Sequence, residues 1–277
     1  MDFSSDSLLI WKTAAVALWF LLFFAGERLA PAAPWPVTAG PAAADKARPA
    51  AGIRRLGRNL ALWLVNVGLS PLIVVPLSFW ASEAALDWRP EVWSGWAGLL
   101  ADLVLLDFLI YWWHLANHRV PLLWRFHEVH HLDRFLDTTS AIRFHFGEVL
   151  LSALARAAVI FLLGFPFSSI LAFETLVLMA TLFHHSNLRL PAGLEGALSL
   201  LIITPSIHWV HHHARQSDTD SNYGTVFSFW DRLFSSRSST RRVPEMEIGV
   251  QDSPERPLAQ LVLRPFLPAA MREGGGA

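Results

Sequence analysis

The apolar positions of this chain gather into long blocks, and about 20 mostly apolar residues are what a helix needs to cross a membrane. Residues 8–25 (LLIWKTAAVALWFLLFFA) form the first block, with Lys12 close enough to one end to reach the interface. Residues 60–82 form the second and tolerate Pro71 and Pro76, and residues 96–113 (WAGLLADLVLLDFLIYWW) form the third. Residues 149–164 and 167–183 read as a hairpin of two helices broken at Gly164-Phe165-Pro166, with a pair of buried core helices as the alternative. The pattern predicts an all-α fold, a polytopic integral membrane bundle of about 4–5 transmembrane helices.

The polar stretches set the organisation. Residues 31–52 (PAAPWPVTAGPAAADKARPAAG) are a Pro/Ala/Gly linker, and the last 40 residues are Arg-rich and Pro-interrupted and end in a Gly run expected to be disordered. Three regions follow: 1–95 with the N-terminal transmembrane helices and the linker, 96–235 as the central domain, and 236–277 as a partly disordered C-terminal tail on the cytoplasmic side.

Charge then gives an orientation, because Lys and Arg are retained on the cytoplasmic side. The loop from 26 to 59 holds Arg28, Lys46, Arg48, Arg54, Arg55 and Arg58, whereas the loop from 83 to 95 holds only Arg89. The first loop is therefore expected inside, and five crossings counted from there put 114–148 and 184–277 inside too. A cleaved signal peptide ending near Ala33 competes for the first block, but its leading residues would be acidic (Asp2, Asp6) where a basic region is needed.

Composition agrees with a membrane protein: 53% hydrophobic, 13 Trp, 19 Phe, and 16% charged against the roughly 25% of soluble domains. The absence of Cys excludes disulfides and thiolate ligands, and a net charge of -1 offers no argument for nucleic acid as a partner. Basic residues are nearly all Arg, twenty against two Lys, which is compositional bias without a mechanism.

The informative excess is histidine, since all twelve lie between His114 and His213. His114-Leu-Ala-Asn-His118 places two rings one turn apart on one helical face, the geometry for chelating an ion. Asp107 and Tyr111 project within about 40° of that face. A carboxylate at Asp107 could accept the second ring N–H of a ligating histidine, and an acid merely at the interface is the blander alternative.

His127-Glu-Val-His130-His131 and His208-Trp-Val-His211-His212 share the form HxxHH, so three rings could converge from one helical turn in each. Together the three clusters supply eight nitrogen donors, too many for one tetrahedral zinc and suited to two ions with about four imidazoles each. All-imidazole ligation suits iron and also copper or zinc. A haem needs only two histidines near mid-membrane. A metal transporter would need polar ligands along its path, and the spans offer only Asp102, Asp107, Arg156 and Glu174.

With LWRFHEVHH at 123–131, LDTTSAIRFH at 136–145, FHHSNLRLP at 183–191 and TDSNYGTVFSFWDRLF at 219–234, these clusters carry a resemblance. From about Asp107 to Phe234 the chain resembles the fatty acid hydroxylase / sterol desaturase superfamily of membrane di-iron oxygenases, in its bacterial sterol desaturase branch. The resemblance implies metal ligands at His114, His118, His127, His130, His131, His208, His211 and His212, with His185 completing the set. His184 and His213 read as extra rings. His145 is expected beside the ligands, although RFHFGE at 143–148 has Phe146 and Gly147 where the branch has Pro and an apolar residue. Asp220 and Asn222 resemble residues that could hydrogen-bond ligand rings, against a polar turn at Asn222-Tyr223-Gly224.

The implied chemistry is O2-dependent hydroxylation or desaturation of a lipid C–H bond by two iron ions held in a cytoplasmic histidine cap. Electrons would come from a separate ferredoxin, cytochrome or reductase, because no haem, flavin or iron–sulfur segment is present. The Arg-rich surface of Arg215, Arg232, Arg237, Arg241 and Arg242 could dock such a donor or face lipid headgroups. The expected location is a bacterial inner membrane with the active site on its cytoplasmic side. A non-catalytic metal-binding or metal-transport membrane protein is the alternative.

Overall fold

The computed structural model of the chain describes residues 5–34 and 44–268, without the side chains of 5–12 and 44–51. Among these residues every element is helical. The Gly run at the C-terminus, the middle of the Pro/Ala linker and the Lys12, Lys46 and Arg48 side chains lie outside the described set.

Helix α1 (Ser5–Leu29) covers the first apolar block and packs on α7 (Phe167–His185), where Trp19 donates its ring N–H to the Met179 carbonyl at 2.9 Å. Helix α2 (Ala44–Leu69) begins inside the stretch expected to be linker, because Ala44, Ala47, Ala50 and Ala51 favour helix over coil. It runs through a π-turn at Ser70–Val74 into α3 (Val75–Glu83). Pro71 and Pro76, which lack amide hydrogens, sit at the start of the π-turn and of α3.

Helix α4 (Gly95–Arg119) carries His114 and His118 in its last turns. After it, α5 (Pro121–His131), a 3-10 turn (Thr138–Ile142), α6 (Phe146–Leu163) and α7 complete the bundle, the last two joined by left-handed Gly164 (φ 69°). The stretches Gly52–Glu83, Gly95–Arg119, Phe146–Leu163 and Phe167–His185 are long and apolar enough to cross a membrane. Their outer surface bears apolar side chains no soluble protein would leave in water, such as Leu72 (75% exposed) and Trp96 (83%). The chain is an integral membrane protein.

Between α3, α4, α6 and α7 a dry core forms from Ala81, Leu106, Ala157, Ile160, Phe165, Ile170 and Phe173. At one end of it, Arg89 pairs with buried Asp102, whose other oxygen accepts from Ser169 Oγ at 2.6 Å. At the opposite end lies a cap of short helices: α8 (Ala192–Leu198), α9 (Pro205–His211), α10 (Gln216–Thr219), α11 (Phe229–Leu233) and α12 (Leu258–Leu263).

Arg55 of α2 ties into this cap, bonding Asp133 at 2.6 and 2.8 Å and Asp137 at 2.8 and 3.0 Å. The basic segment before α2's apolar stretch and the histidines therefore share one face of the bundle. Residues 236–268, read from the sequence as a tail, return across the cap. Gly249 N–H donates to the His212 carbonyl at 3.0 Å, Arg264 pairs with Glu128 at 2.7 Å, and Ile248 and Leu261 are buried.

Candidate metal centre

Each HxxHH turn lies between two groups of rings and divides its histidines between them. One group gathers His114 and His118 from α4, His127 and His131 from α5, and His211 from α9; the other gathers His130, His185, His208 and His212. Within each group one nitrogen per residue lies within 4.8 Å of all the others. The i, i+4 pair His127/His131 serves the first group and His130 the second. In the third cluster the roles reverse, with His208/His212 in the second group and His211 in the first. The expected convergence of three rings from one turn does not occur: relative to the first histidine the second stands about 60° to one side of the helix and the third about 40° to the other, so the adjacent pair diverges by about 100° and reaches different groups.

Backbone carbonyls set the ring orientations. Nδ1–H of His114 donates to Tyr223 O (2.8 Å), of His130 to Arg143 O (3.1 Å), of His185 to Thr181 O (2.8 Å) and of His211 to Ser221 O (2.7 Å). His127 Nδ1–H donates instead to Glu148 Oε1 at 2.7 Å. A carbonyl can only accept, so each of these rings carries its proton on Nδ1 and presents a bare Nε2.

The consequence is severe for His130 and His185, whose Nε2 atoms face each other at 3.1 Å. His208 Nε2 lies 3.0 Å from His185 Nε2 and 3.1 Å from His212 Nε2. Lone pairs held this close in a buried site repel unless a cation lies among them. His118 and His131 have no partner on either nitrogen, and His127 Nε2 and His211 Nε2 are also buried without one. A native interior leaves few such atoms unsatisfied, so the donor set fits two metal ions.

Burial also keeps the rings neutral. It is the largest cause holding His130, His131, His208 and His212 far below the usual histidine range, with neighbouring rings adding to it. Burial likewise takes His211 down to about 3, against the bond that its Nδ1–H donates to Ser221 O. Neutral imidazole is the ligating form.

The polar residues expected beside the rings have other tasks. Asp107 touches no histidine: its carboxylate accepts from the backbone N–H of Val226 (3.1 Å) and Phe227 (3.0 Å) and from Trp230 Nε1 (2.9 Å). It thereby fixes the strand of chain whose Tyr223 carbonyl holds His114. Asp220 Oδ1 stands 3.7 Å from His118 Nδ1, too far for a hydrogen bond, and its Oδ2 accepts from Gln216. Asn222 adopts left-handed backbone (φ 53°), and its side chain bonds Ile207 O and Ser238 N–H. The polar-turn reading describes it.

His145 lies outside both groups. Its Nδ1 accepts from Gly147 N–H at 2.9 Å, capping α6, and its Nε2 donates to Val262 O at 3.0 Å. Gly147 is required there, since a Cβ would fall 2.5 Å from the Phe126 ring. His213 is turned to Asp218, 2.8 Å away. His184 is buried beside His185 and His208 without joining their group.

Sequence reasoning passed over three contributors. Glu148 was visible as the last residue of RFHFGE. Tyr223, whose buried ring lies 5.3–6.1 Å from those of His114, His118 and His211, was read only as part of a turn. Asp231 receives the N–H of Tyr223 (2.7 Å) and Gly224 (3.0 Å), and a Cβ on Gly224 would meet its Oδ2 at 2.8 Å.

Comparison with known proteins bears on this site directly. The sequence model described as "Fatty acid hydroxylase" matches residues 99–236, the stretch that holds every ring of both groups. A cholesterol 25-hydroxylase-like protein of Danio rerio is 31% identical over 180 residues, covering 63% of this chain and 69% of that protein. This chain belongs to the fatty acid hydroxylase family. Two further members are similar to it: ornithine lipid hydroxylase OlsE of Rhizobium tropici and alkylglycerol monooxygenase of Danio rerio. The first is 27% identical over 177 residues (64% of this chain, 53% of OlsE) and the second 27% over 179 residues (65% and 37%). The chain thus spans about half of the former and a smaller part of the latter. No solved structure matches this member of the family.

Proposed function

We propose that the chain is a lipid hydroxylase whose two histidine groups each hold an iron ion. The observation that carries this reading is the facing pair of bare Nε2 atoms on His130 and His185, 3.1 Å apart in a buried site. The group of five would be ligated by His114, His118, His127, His131 and His211, and the group of four by His130, His185, His208 and His212. Bound iron would supply activation of O2 for attack on an unactivated C–H bond, a task beyond protein side chains alone.

The chain's own residues do the rest. Carbonyls of Arg143, Thr181, Ser221 and Tyr223, with the Glu148 carboxylate, hold five rings in one tautomer, so ligands need not reorganise when metal arrives. Phe144, stacked on His130 at 4.5 Å, and Tyr223 help to keep water from the site. His114, His118 and His185 lie in the last turns of the apolar helices α4 and α7, where a lipid could approach from the bilayer without leaving it.

The relatives named above are hydroxylases and a monooxygenase acting on lipids, which favours insertion of oxygen over desaturation. In balance, a C–H bond, O2, two electrons and two protons give an alcohol and water. The electrons come from a separate donor such as a ferredoxin, cytochrome or reductase. In this reading the membrane is a bacterial inner membrane and the site faces its cytoplasmic side, the side that the basic residues around Arg55 favour. A metal transporter is disfavoured because the charges in the spans are engaged: Asp102 with Arg89, Asp107 with backbone N–H groups, and Arg156 with Glu174 at 3.4 Å.

The test is direct. Purified chain should contain about two irons and, given reductant and isotopically labelled O2, place label in a lipid hydroxyl. His130→Ala should lose iron and activity together. Zinc as the sole metal, with ion flux in proteoliposomes, would contradict the proposal.

A further inference from the structure

Two acids buried in α4, Asp102 and Asp107, belong to neither histidine group, and each helps to pin a tryptophan brought in from outside the helix. Asp107 accepts from Trp230 Nε1 at 2.9 Å. Asp102 pairs with Arg89, whose guanidinium lies 4.9 Å from the centre of the Trp93 ring. Gly98 lets the Trp93 backbone close on α4, since a Cβ there would fall 2.7 Å from it. Both rings are thus fixed, and they stand at the two ends of one stripe of the helix.

That stripe is Leu100, Ala101, Val104, Leu105 and Phe108, and with the two tryptophans it lines a groove of about 530 Å³. It runs about 12 Å along the axis, and Leu100, Ala101 and Val104 are exposed on a helix apolar enough to span the membrane, so the groove opens on hydrocarbon. The polar side-chain atoms among its lining residues are the two indole nitrogens, and neither serves it: that of Trp230 is spent on Asp107 and that of Trp93 is buried. An occupant must therefore be hydrocarbon over the whole stripe, with any polar group beyond its ends. Within a bilayer, burial from water does not hold it; close contact with the walls does. A bare helix face supplies contact on one side, and the fixed rings add it at both ends.

We infer that the groove is a binding site for one flexible acyl chain of a bilayer lipid, lodged between Trp93 and Trp230. The site needs no metal. Its occupant lies along the helix that carries His114, about 9 Å further along the axis than Phe108.

The test uses the full chain in nanodiscs of phosphatidylcholine, a small share of which carries a diazirine in one acyl chain. After irradiation, mass spectrometry of peptides locates the adducts. Labelling at Leu100, Val104 and Phe108 should exceed that at Leu72 and Leu154, which are exposed on other spans. It should also level off as the share of probe rises, while theirs keeps rising. Ala101→Trp fills the groove from the exposed face and should bring labelling of the stripe down to that of Leu72. Ala158→Trp, exposed on α6, should leave it unchanged. Constant labelling at Leu72 and Leu154 in both variants reports an intact, inserted bundle. Equal, non-saturating labelling of all spans would make the groove ordinary lipid-facing surface and overturn the inference. So would stripe labelling that Ala101→Trp does not reduce, or a sterol that displaces the acyl probe, which would make the occupant a rigid ring system. Labelling of the stripe below that of Leu72 would mean that another protein surface covers it, and would overturn the inference as well.

Discussion

At the scale of single residues, Glu148 does for His127 what carbonyl oxygens do for four other rings, and with a stronger acceptor. Glu148→Gln keeps the size but removes the charge, and should weaken iron binding by about tenfold. His213→Ala, by contrast, should leave iron content unchanged, because that ring is spent on Asp218; chelator competition on both variants checks the pair. The ring sets themselves were legible, since chelating spacing is written into HxxxH and HxxHH. Their supports were not. Asp107, Asp220, Asn222 and His145 were the polar side chains nearest the motifs, but the acceptors that matter are mostly backbone carbonyls, and every residue has one. His145 was hardest to place, because capping a helix and assisting a ligand call for the same ring.

At the scale of elements, α5 and α9 each lie between the two histidine groups and feed both, so sequence showed how many rings there were and only geometry showed how they divide. Helix α2 teaches a second lesson. Arg55 entered the sequence reading as one of several basic residues setting topology, and nothing in its neighbours marks it as buried. In the fold it bridges Asp133 and Asp137 with side-chain exposure of 7%. Burial alone would raise the Asp133 carboxyl, but Arg55 and Arg143 hold it down at about 2. Removing one partner of a buried ion pair costs about 3–5 kcal/mol. Arg55→Ala should accordingly lower the urea midpoint of the solubilised chain sharply, with the Asp133→Asn background recovering part of the loss. The packed segment 236–268 escaped the sequence reading for a related reason: Arg and Pro content suggested a solvated tail, while its anchors are the isolated residues Ile248, Leu261 and Arg264.

At the scale of the whole molecule, the apolar blocks gave the bundle, and the Arg55 bridge ties the basic segment before α2's apolar stretch to the histidine cap. The chain lacks cysteine, so single substitutions can be labelled without background. In oriented vesicles an impermeant thiol reagent should reach exposed Glu245→Cys from one side and exposed Glu91→Cys only from the other. Labelling of both from one side would refute the arrangement. The carbonyls of Ser221 and Tyr223, which hold His211 and His114, have a further consequence, in the kind of genetic change the protein can bear. A substitution at Ser221 replaces a side chain and leaves the backbone acceptor of His211 in place. Deleting one residue shifts every later carbonyl to the opposite side of the strip. Among random in-frame mutants screened for iron content, those in this stretch that lose metal should be mainly deletions and insertions, so that spacing here is inherited more strictly than identity.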